Sequence, residues 1–248
     1  MSAMGIGIDN LEFFPIQEIN YKRWFRHIQP NGITPTPEQR REMVSIIDER
    51  VGLNSEGLDL IYKDWIGSQK GDSEYHMVSN VISTVLIYVF QTTSDCMVAT
   101  KEYLMANQDY DKRYTRGKLR VILNEGFKKL YGFSPTNKSE TYWGKLSSII
   151  HCFPSLEVQY KRVGALLERQ STLSTWWKEE RDLEVHMEPV KLYESRQEDL
   201  SESEVVLDTI KLLDALGIVE QFVWNLHASL TNWLNMQYRL HPEMFKEA

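Results

Sequence analysis

Cysteine is scarce in this chain of 248 residues, which contains two, Cys96 and Cys152. Two cysteines do not make the disulfide framework of a small secreted protein, and their positions match no metal-ligand spacing. Both fall in segments predicted to be amphipathic helices, where a free cysteine behaves as a small hydrophobic residue. We therefore expect a protein of a reducing compartment, with buried free thiols.

Long apolar runs and targeting segments are also lacking. The most apolar run, residues 78–90, is interrupted by Ser79, Asn80, Ser83 and Thr84, and is too short to span a bilayer. Residues 1–10 lack the basic segment and apolar run of a signal peptide. A cytoplasmic protein with no membrane contact is expected. The net charge of −7 argues against a general nucleic-acid coat protein but leaves local basic patches open.

The common metal and nucleotide motifs do not occur in the sequence. No histidine has a glutamate three residues before it, and His-Glu-x-x-His and Cys-x-x-Cys are missing. The Walker phosphate loop and the Gly-x-Gly-x-x-Gly fingerprint are missing too. We therefore expect no metal site and no cofactor.

No run of alternating β-branched residues is bounded by turn residues, whereas helical spacing of apolar residues is frequent. The pattern predicts an all-α protein, an up-and-down bundle of long helices with shorter flanking helices. The long helices are expected at 73–107, 112–131, 155–187 and 203–240, and shorter ones near 36–66 and 139–152.

The predicted helix boundaries follow from capping and breaking residues. Thr36 and Gln39 have the form of a capping box, and Gly52 is expected to end a first short helix before a second one at 55–66. Pro189 is expected to end the helix at 155–187, and the polar residues 190–204 to form a solvated loop. Residues 1–70 are predicted to be a helical extension that can pack on the body, residues 71–248. One continuous domain is the simpler organisation.

Helix 203–240 carries the clearest periodic signal. The intramolecular core of a bundle explains this seam, and a homodimer face is the alternative. Its apolar residues keep four-three spacing over three heptads, at Leu212, Leu216, Val219, Val223, Leu226, Leu230 and Trp233.

Arg181, Asp182 and His186 fall together near the end of a predicted helix. In this stretch the sequence resembles the HEPN superfamily, all-helical proteins whose nuclease members carry an arginine followed four to six residues later by a histidine. A polar residue commonly follows that arginine. The resemblance covers residues 73–240 as architecture and residues 181–186 as a motif.

The resemblance implies metal-independent RNA cleavage, in a defence or toxin–antitoxin setting. His186 would be the general base toward a ribose 2′-OH, Arg181 would stabilise the phosphorane, and Asp182 would orient either group or the RNA. HEPN sites form where two protomers meet. On an ideal helix a five-residue step rotates side chains by about 140°. Convergence of Arg181 and His186 therefore requires a loosened helix or a homodimer.

A dense basic stretch within the predicted helix 112–131 offers a way to bind RNA. Arg113, Arg116 and Arg120 share a helix face suited to phosphates, beside Lys112. Trp177 is a candidate for stacking bases next to the motif. The alternatives are a solvated helix face for the basic residues and a core or rim position for the tryptophan.

A purely structural interpretation of the motif stays open. Arg181 can pair with Glu184 or Glu188, and His186 can sit near the carbonyls of the helix end. In that case the protein is a non-enzymatic helical interaction or scaffold protein, which binds a protein partner or a second copy of itself.

Overall fold

The computed structural model describes residues 36–133, 135–173, 178–186, 189–197 and 202–241. These residues form helices and no β-strand, so the predicted all-α class is confirmed. Short 3-10 helices at Pro135–Glu140, Ile150–Cys152 and Pro154–Leu156 lie between the α-helices. The α-helices are α1 Pro37–Ser68, α2 Glu74–Met105, α3 Asp109–Leu130, α4 Tyr142–Leu146, α5 Glu157–Leu173, α6 Lys178–His186, α7 Pro189–Gln197 and α8 Glu202–Leu240.

Helix α2 lies at the centre of the described structure and packs against α1, α3 and α8. Its buried residues include Val78, Ile82, Val85, Leu86 and Val89, all with no exposed surface. These positions occupy more than one stripe of the helix, and a helix that is apolar around most of its circumference is stable only when other elements surround it. The sequence pattern of α2 therefore sets the centre of the bundle.

Helix α2 is also the one helix of the described residues that is long and apolar enough to cross a membrane. The apolar run at 78–90, judged too short for a span, lies within this helix of 32 residues. In the structure, 61% of its most apolar window is buried inside the protein. Burial of this kind is typical of a core helix.

Helix α8 carries the predicted apolar seam. Trp233, the last residue of the seam, packs on the core at its margin. The other seam residues are at most 3% exposed: Leu212, Leu216, Val219, Val223, Leu226 and Leu230. The helix contacts α2, α3 and α5 of the same chain. The core of a single chain therefore accounts for the seam, as the first of the two interpretations expects.

The prediction that Gly52 ends a helix is wrong, because α1 runs without a break from Pro37 to Ser68. Its start is as predicted: Thr36 Oγ1 accepts from Gln39 N at 3.3 Å, and Thr36 N donates to Gln39 Oε1 at 2.8 Å. A helical glycine costs only about 1 kcal/mol relative to alanine. The burial of Met43, Ile47 and other α1 residues against the core offsets that cost.

One further prediction about the second half of the chain is wrong, because part of the expected loop at 190–204 is helix α7. The helix expected at 155–187 is described as α5 and α6, and residues 174–177 between them lie outside the described residues. Pro189 is the first residue of α7, a position that tolerates proline because its N–H would have no helical partner. Leu192 is buried, and α7 contacts α3. Tertiary packing thus stabilises a polar segment as a helix.

The predicted helix at 139–152 is also shorter than expected. The structure has α4 over Tyr142–Leu146 and a 3-10 helix over Ile150–Cys152. The cap of α4 is Thr141, whose Oγ1 accepts from Gly144 N at 3.0 Å. The segment is therefore a compact corner between α3 and α5.

Two glycines of α1 provide a matched test of its continuity. A Cβ at Gly52 would meet no atom within 4 Å, whereas a Cβ at Gly57 would lie 2.8 Å from Phe90 Cε1. We expect Gly52→Ala to raise the free energy of unfolding by about 0.5–1 kcal/mol. Gly57→Ala should lower it by about 1–3 kcal/mol, because Phe90 is buried and must move.

The measurement is urea unfolding followed by far-ultraviolet circular dichroism. If Gly52→Ala destabilised the protein as much as Gly57→Ala, residue 52 would not lie in an exposed helical turn, and a continuous α1 would be wrong.

Candidate nucleic-acid interface

Arg181 lies on α6, and its guanidinium binds two carboxylates. One is Glu125 on α3, and the other is the neighbouring Asp182, whose Oδ1 accepts from Nη1 at 2.5 Å. The Arg181 side chain is 19% exposed, and its buried Nε atom has no hydrogen-bond partner in the described part of the chain. The structural interpretation expected Arg181 to pair with Glu184 or Glu188. Arg181 pairs instead with Glu125 and Asp182, and Glu188 lies outside the described residues.

The pKa values of these groups follow from their contacts. The hydrogen bonds that Arg181 donates to Asp182 and then to Glu125 raise the pKa of its guanidinium above the usual value. The same guanidinium lowers the pKa of the Asp182 carboxyl. The contact of Arg181 with Glu125 fixes α6 on α3.

His186 is the last residue of α6 and is exposed. It follows Arg181 by five residues of continuous helix, a step that rotates side chains by about 140°. Arg181 and Asp182 line a common cleft, and His186 is not among the residues that line it. Within the described structure of one chain, the arginine and the histidine of the motif therefore do not form a common site.

The cleft that contains Arg181 and Asp182 has a volume of about 750 Å³. It lies between α3, α4 and α6, and we call it the cationic cleft. The carboxylates that line it are Glu140 and Asp182, and the aromatic side chains are Phe133 and Tyr142. Its cationic residues, more numerous than the carboxylates, are Lys128, Lys129, Lys145, Lys178 and Arg181.

The aromatic side of the cleft is held by packing inside the chain. Tyr142 stacks on Tyr88 with ring centroids 3.8 Å apart, and Lys145 Nζ lies 4.6 Å from the Tyr142 ring centroid. Tyr88 in turn donates from its hydroxyl to Gly126 O at 2.5 Å. Phe133 is 39% exposed. The cleft therefore offers one fixed ring, one exposed ring and several ammonium groups.

The predicted basic face of α3 is largely not on the surface. Arg116 and Arg120 are 6% and 3% exposed. Arg116 Nη2 donates to Ser195 O at 3.4 Å, and Arg120 Nη1 donates to Ser195 Oγ at 3.1 Å. These arginines hold α7 on α3 and do not face a phosphate backbone. Helical spacing placed them correctly on one face but gave no sign that a segment 79 positions away covers it.

The remaining predicted contacts have mixed outcomes. Lys112 and Arg113 are partly exposed on α3 and do not line the cationic cleft. Trp177 lies outside the described residues, so its predicted stacking role stays a prediction.

Lys145 and Lys178 are site residues that the sequence did not predict, and Lys128 and Lys129 lie at the end of the basic stretch in the predicted helix 112–131. The available signal was weak: Lys128 and Lys129 lie in the last turn of α3, where cations are common for reasons of helix stability alone. Lys145 and Lys178 lie on other helices. Their convergence depends on how three helices pack.

Comparisons with known proteins find no match: no family model, no curated protein and no solved structure is significantly similar to the chain. Membership of the HEPN superfamily therefore stays a prediction that rests on residues 181–186 and on the helical architecture.

The buried arginines of α3 provide a test of their structural role. We expect Arg120→Ala to lower the free energy of unfolding by about 1–3 kcal/mol, because it removes a hydrogen bond and leaves Ser195 without this donor. The control, Arg113→Ala, changes a partly exposed residue and should shift stability by less than about 0.5 kcal/mol. Chemical denaturation measures both. Equal stability of the two variants would contradict the burial of Arg120.

Proposed function

We propose that the protein binds single-stranded RNA in the cationic cleft, as a non-cleaving relative of the HEPN nucleases. The observation that carries this proposal is the convergence of four lysines and Arg181 from three helices on one cleft beside the exposed ring of Phe133. In a chain with a net charge of −7, such a concentration of positive charge is a local exception.

Charge determines where a polyanion binds this protein. Lysine ammonium groups neutralise phosphates and release condensed counterions, which is the main source of affinity for a nucleic-acid backbone. The acidic remainder of the surface repels the same polyanion, so the electrostatic field of the protein directs the polyanion to the cleft. Lys128 and Lys145 are exposed, and the ion pair of Lys128 Nζ with Glu125 Oε1, 3.7 Å apart, is at the surface, where a phosphate can replace the carboxylate.

The aromatic side chains favour a single strand over a duplex. Phe133 and Tyr142 line the same cleft as the lysines, and base–aromatic stacking contributes about 1–3 kcal/mol per base. Bases in a duplex are stacked on one another and do not offer their faces to a protein. An RNA partner also agrees with the expected cytoplasmic location.

The non-cleaving version is preferred because of the positions of Arg181 and His186. Arg181 is engaged by Glu125 and Asp182, and the exposed His186 lies outside the cleft. Cleavage of the kind that the HEPN resemblance implies would need His186 of a second protomer to enter the cleft. A homodimer therefore belongs to the catalytic version of the hypothesis.

Binding can be tested by fluorescence anisotropy with a labelled single-stranded RNA oligonucleotide at several salt concentrations. Lys128→Glu and Lys178→Glu should each weaken binding at least about tenfold, and each lost phosphate contact should reduce the salt slope by about 0.7. The matched control is Lys161→Glu on α5, which makes the same charge change on a surface lysine paired with Glu157. Equal loss in the control, or no binding by the parent, would contradict the cleft as an RNA site and favour the protein-interaction alternative.

Cleavage is tested by incubating the parent, His186→Ala and Arg181→Ala with RNA in EDTA. We expect no cleavage by any of them, and the same RNA affinity for His186→Ala as for the parent, because His186 lies outside the cleft. Metal-independent cleavage by the parent that is lost in His186→Ala would replace the binding proposal with the endoribonuclease hypothesis.

A further inference from the structure

Three side chains with metal-binding atoms meet where the start of α2 approaches the 3-10 helix Ile150–Cys152. Glu74 is the first residue of α2, and His151 and Cys152 are neighbours in the 3-10 helix. One carboxylate oxygen, one imidazole nitrogen and the thiol sulfur all lie within 4.8 Å of one another. The sequence alone gave no sign of this cluster, because Glu74 and Cys152 are 78 positions apart.

Two of the three distances in the cluster fit a tetrahedral metal ion. Cys152 Sγ lies 3.7 Å from Glu74 Oε1 and 3.5 Å from His151 Nε2. In a tetrahedral zinc site with bonds of about 2.0–2.3 Å, neighbouring ligand atoms are roughly 3.5 Å apart. The two distances from the sulfur, to Glu74 Oε1 and to His151 Nε2, therefore already match two edges of such a tetrahedron.

Local structure fixes the Cys152 sulfur and the backbone at Glu74 in place. Cys152 has no exposed surface, and its neighbours Ile149 and Phe153 are also fully buried, so the sulfur has a defined position. Ser73 caps α2 by accepting from His76 N at 3.4 Å, which fixes the backbone at Glu74. The side chains of Glu74 and His151 reach solvent. An ion can enter from that side. The side chains of Glu74 and His151 can adjust until the distance between their ligand atoms matches the third edge of the tetrahedron.

A nucleophilic cysteine is the competing interpretation of these residues. In a catalytic triad the acidic group orients the base. Here the Cys152 thiol donates to the Glu74 carboxylate, and within the described residues Glu74 makes no hydrogen bond to His151. The carboxylate thus contacts the thiol and does not orient the imidazole as a triad requires, so the geometry favours a metal ligand.

We propose that Glu74, His151 and Cys152 bind one Zn²⁺ ion per chain. Sulfur, nitrogen and oxygen donors together suit zinc, whereas Ca²⁺ and Mg²⁺ prefer oxygen ligands alone. One thiolate and one carboxylate balance the ion's two positive charges, and the thiol proton leaves to solvent on binding.

Three protein ligands leave the fourth position of a zinc ion to water or to an outside ligand. The ion would also link the start of the central helix to the corner that follows α4. Zinc binding at this cluster does not depend on RNA binding in the cationic cleft.

The test uses the full chain, stripped with EDTA and titrated with Co²⁺ as a spectroscopic substitute for zinc. We expect saturation at one equivalent, a sulfur-to-cobalt charge-transfer band and the visible bands of a tetrahedral site. Cys152→Ser should abolish the charge-transfer band. Glu74→Gln and His151→Ala should each weaken binding at least about tenfold. Zinc should raise the Tm of the parent and leave that of Glu74→Gln much less changed.

The matched controls change residues of the same types that lie outside the cluster. Cys96→Ala removes the other buried cysteine, and His227→Ala removes a histidine of α8 that contacts Asp64. Both should keep the full cobalt spectrum. Failure of the parent to take up cobalt, a charge-transfer band that persists in Cys152→Ser, or equal loss in the controls would overturn the proposal. If Cys152→Ser does not fold, the cobalt affinities of Glu74→Gln and His151→Ala test the proposal, because the native Glu74 and His151 side chains reach solvent.

Discussion

The burial of α2 on most of its sides is the constraint on which the rest of the structure depends. Each fully buried aliphatic side chain such as Val85 or Leu86 contributes about 1.5–3 kcal/mol to folding. That contribution is available only when other helices cover the central one, and α1, α3 and α8 do so. Once they are packed, the end of α3 that carries Lys128 and the start of α2 that carries Glu74 have defined positions.

The shorter helices depend on this frame. Helices α6 and α7 are described over 9 residues each, and a segment of this length is not stable alone in water. The contact of Arg181 with Glu125 holds α6 on α3, and the buried Arg120 holds Ser195 of α7. A partly buried ion pair of this kind fixes position more than it adds stability, because desolvation of the charges offsets much of their attraction. These contacts place Lys178 at the cationic cleft.

The cationic cleft and the proposed zinc cluster share a property that explains why neither has a sequence motif. Each gathers side chains from segments that are far apart in the chain, at Lys128, Lys145 and Lys178 in one case and at Glu74 and Cys152 in the other. Motifs of fixed spacing arise when one helix or loop supplies several ligands. Here the packing of helices brings the chemical groups together.

The sequence by itself determined the all-α class, the extents of α2, α3 and α8, and the capping box at Thr36, because apolar periodicity and caps act within a few residues. Tertiary structure decided that α1 continues through Gly52, that α7 forms within a polar segment, and that Arg116 and Arg120 are buried. It also decided that Arg181 meets Glu125 while His186 stays exposed. The physical reason is the same in each case: burial and ion pairing depend on which distant segment covers a residue, and local sequence does not encode that.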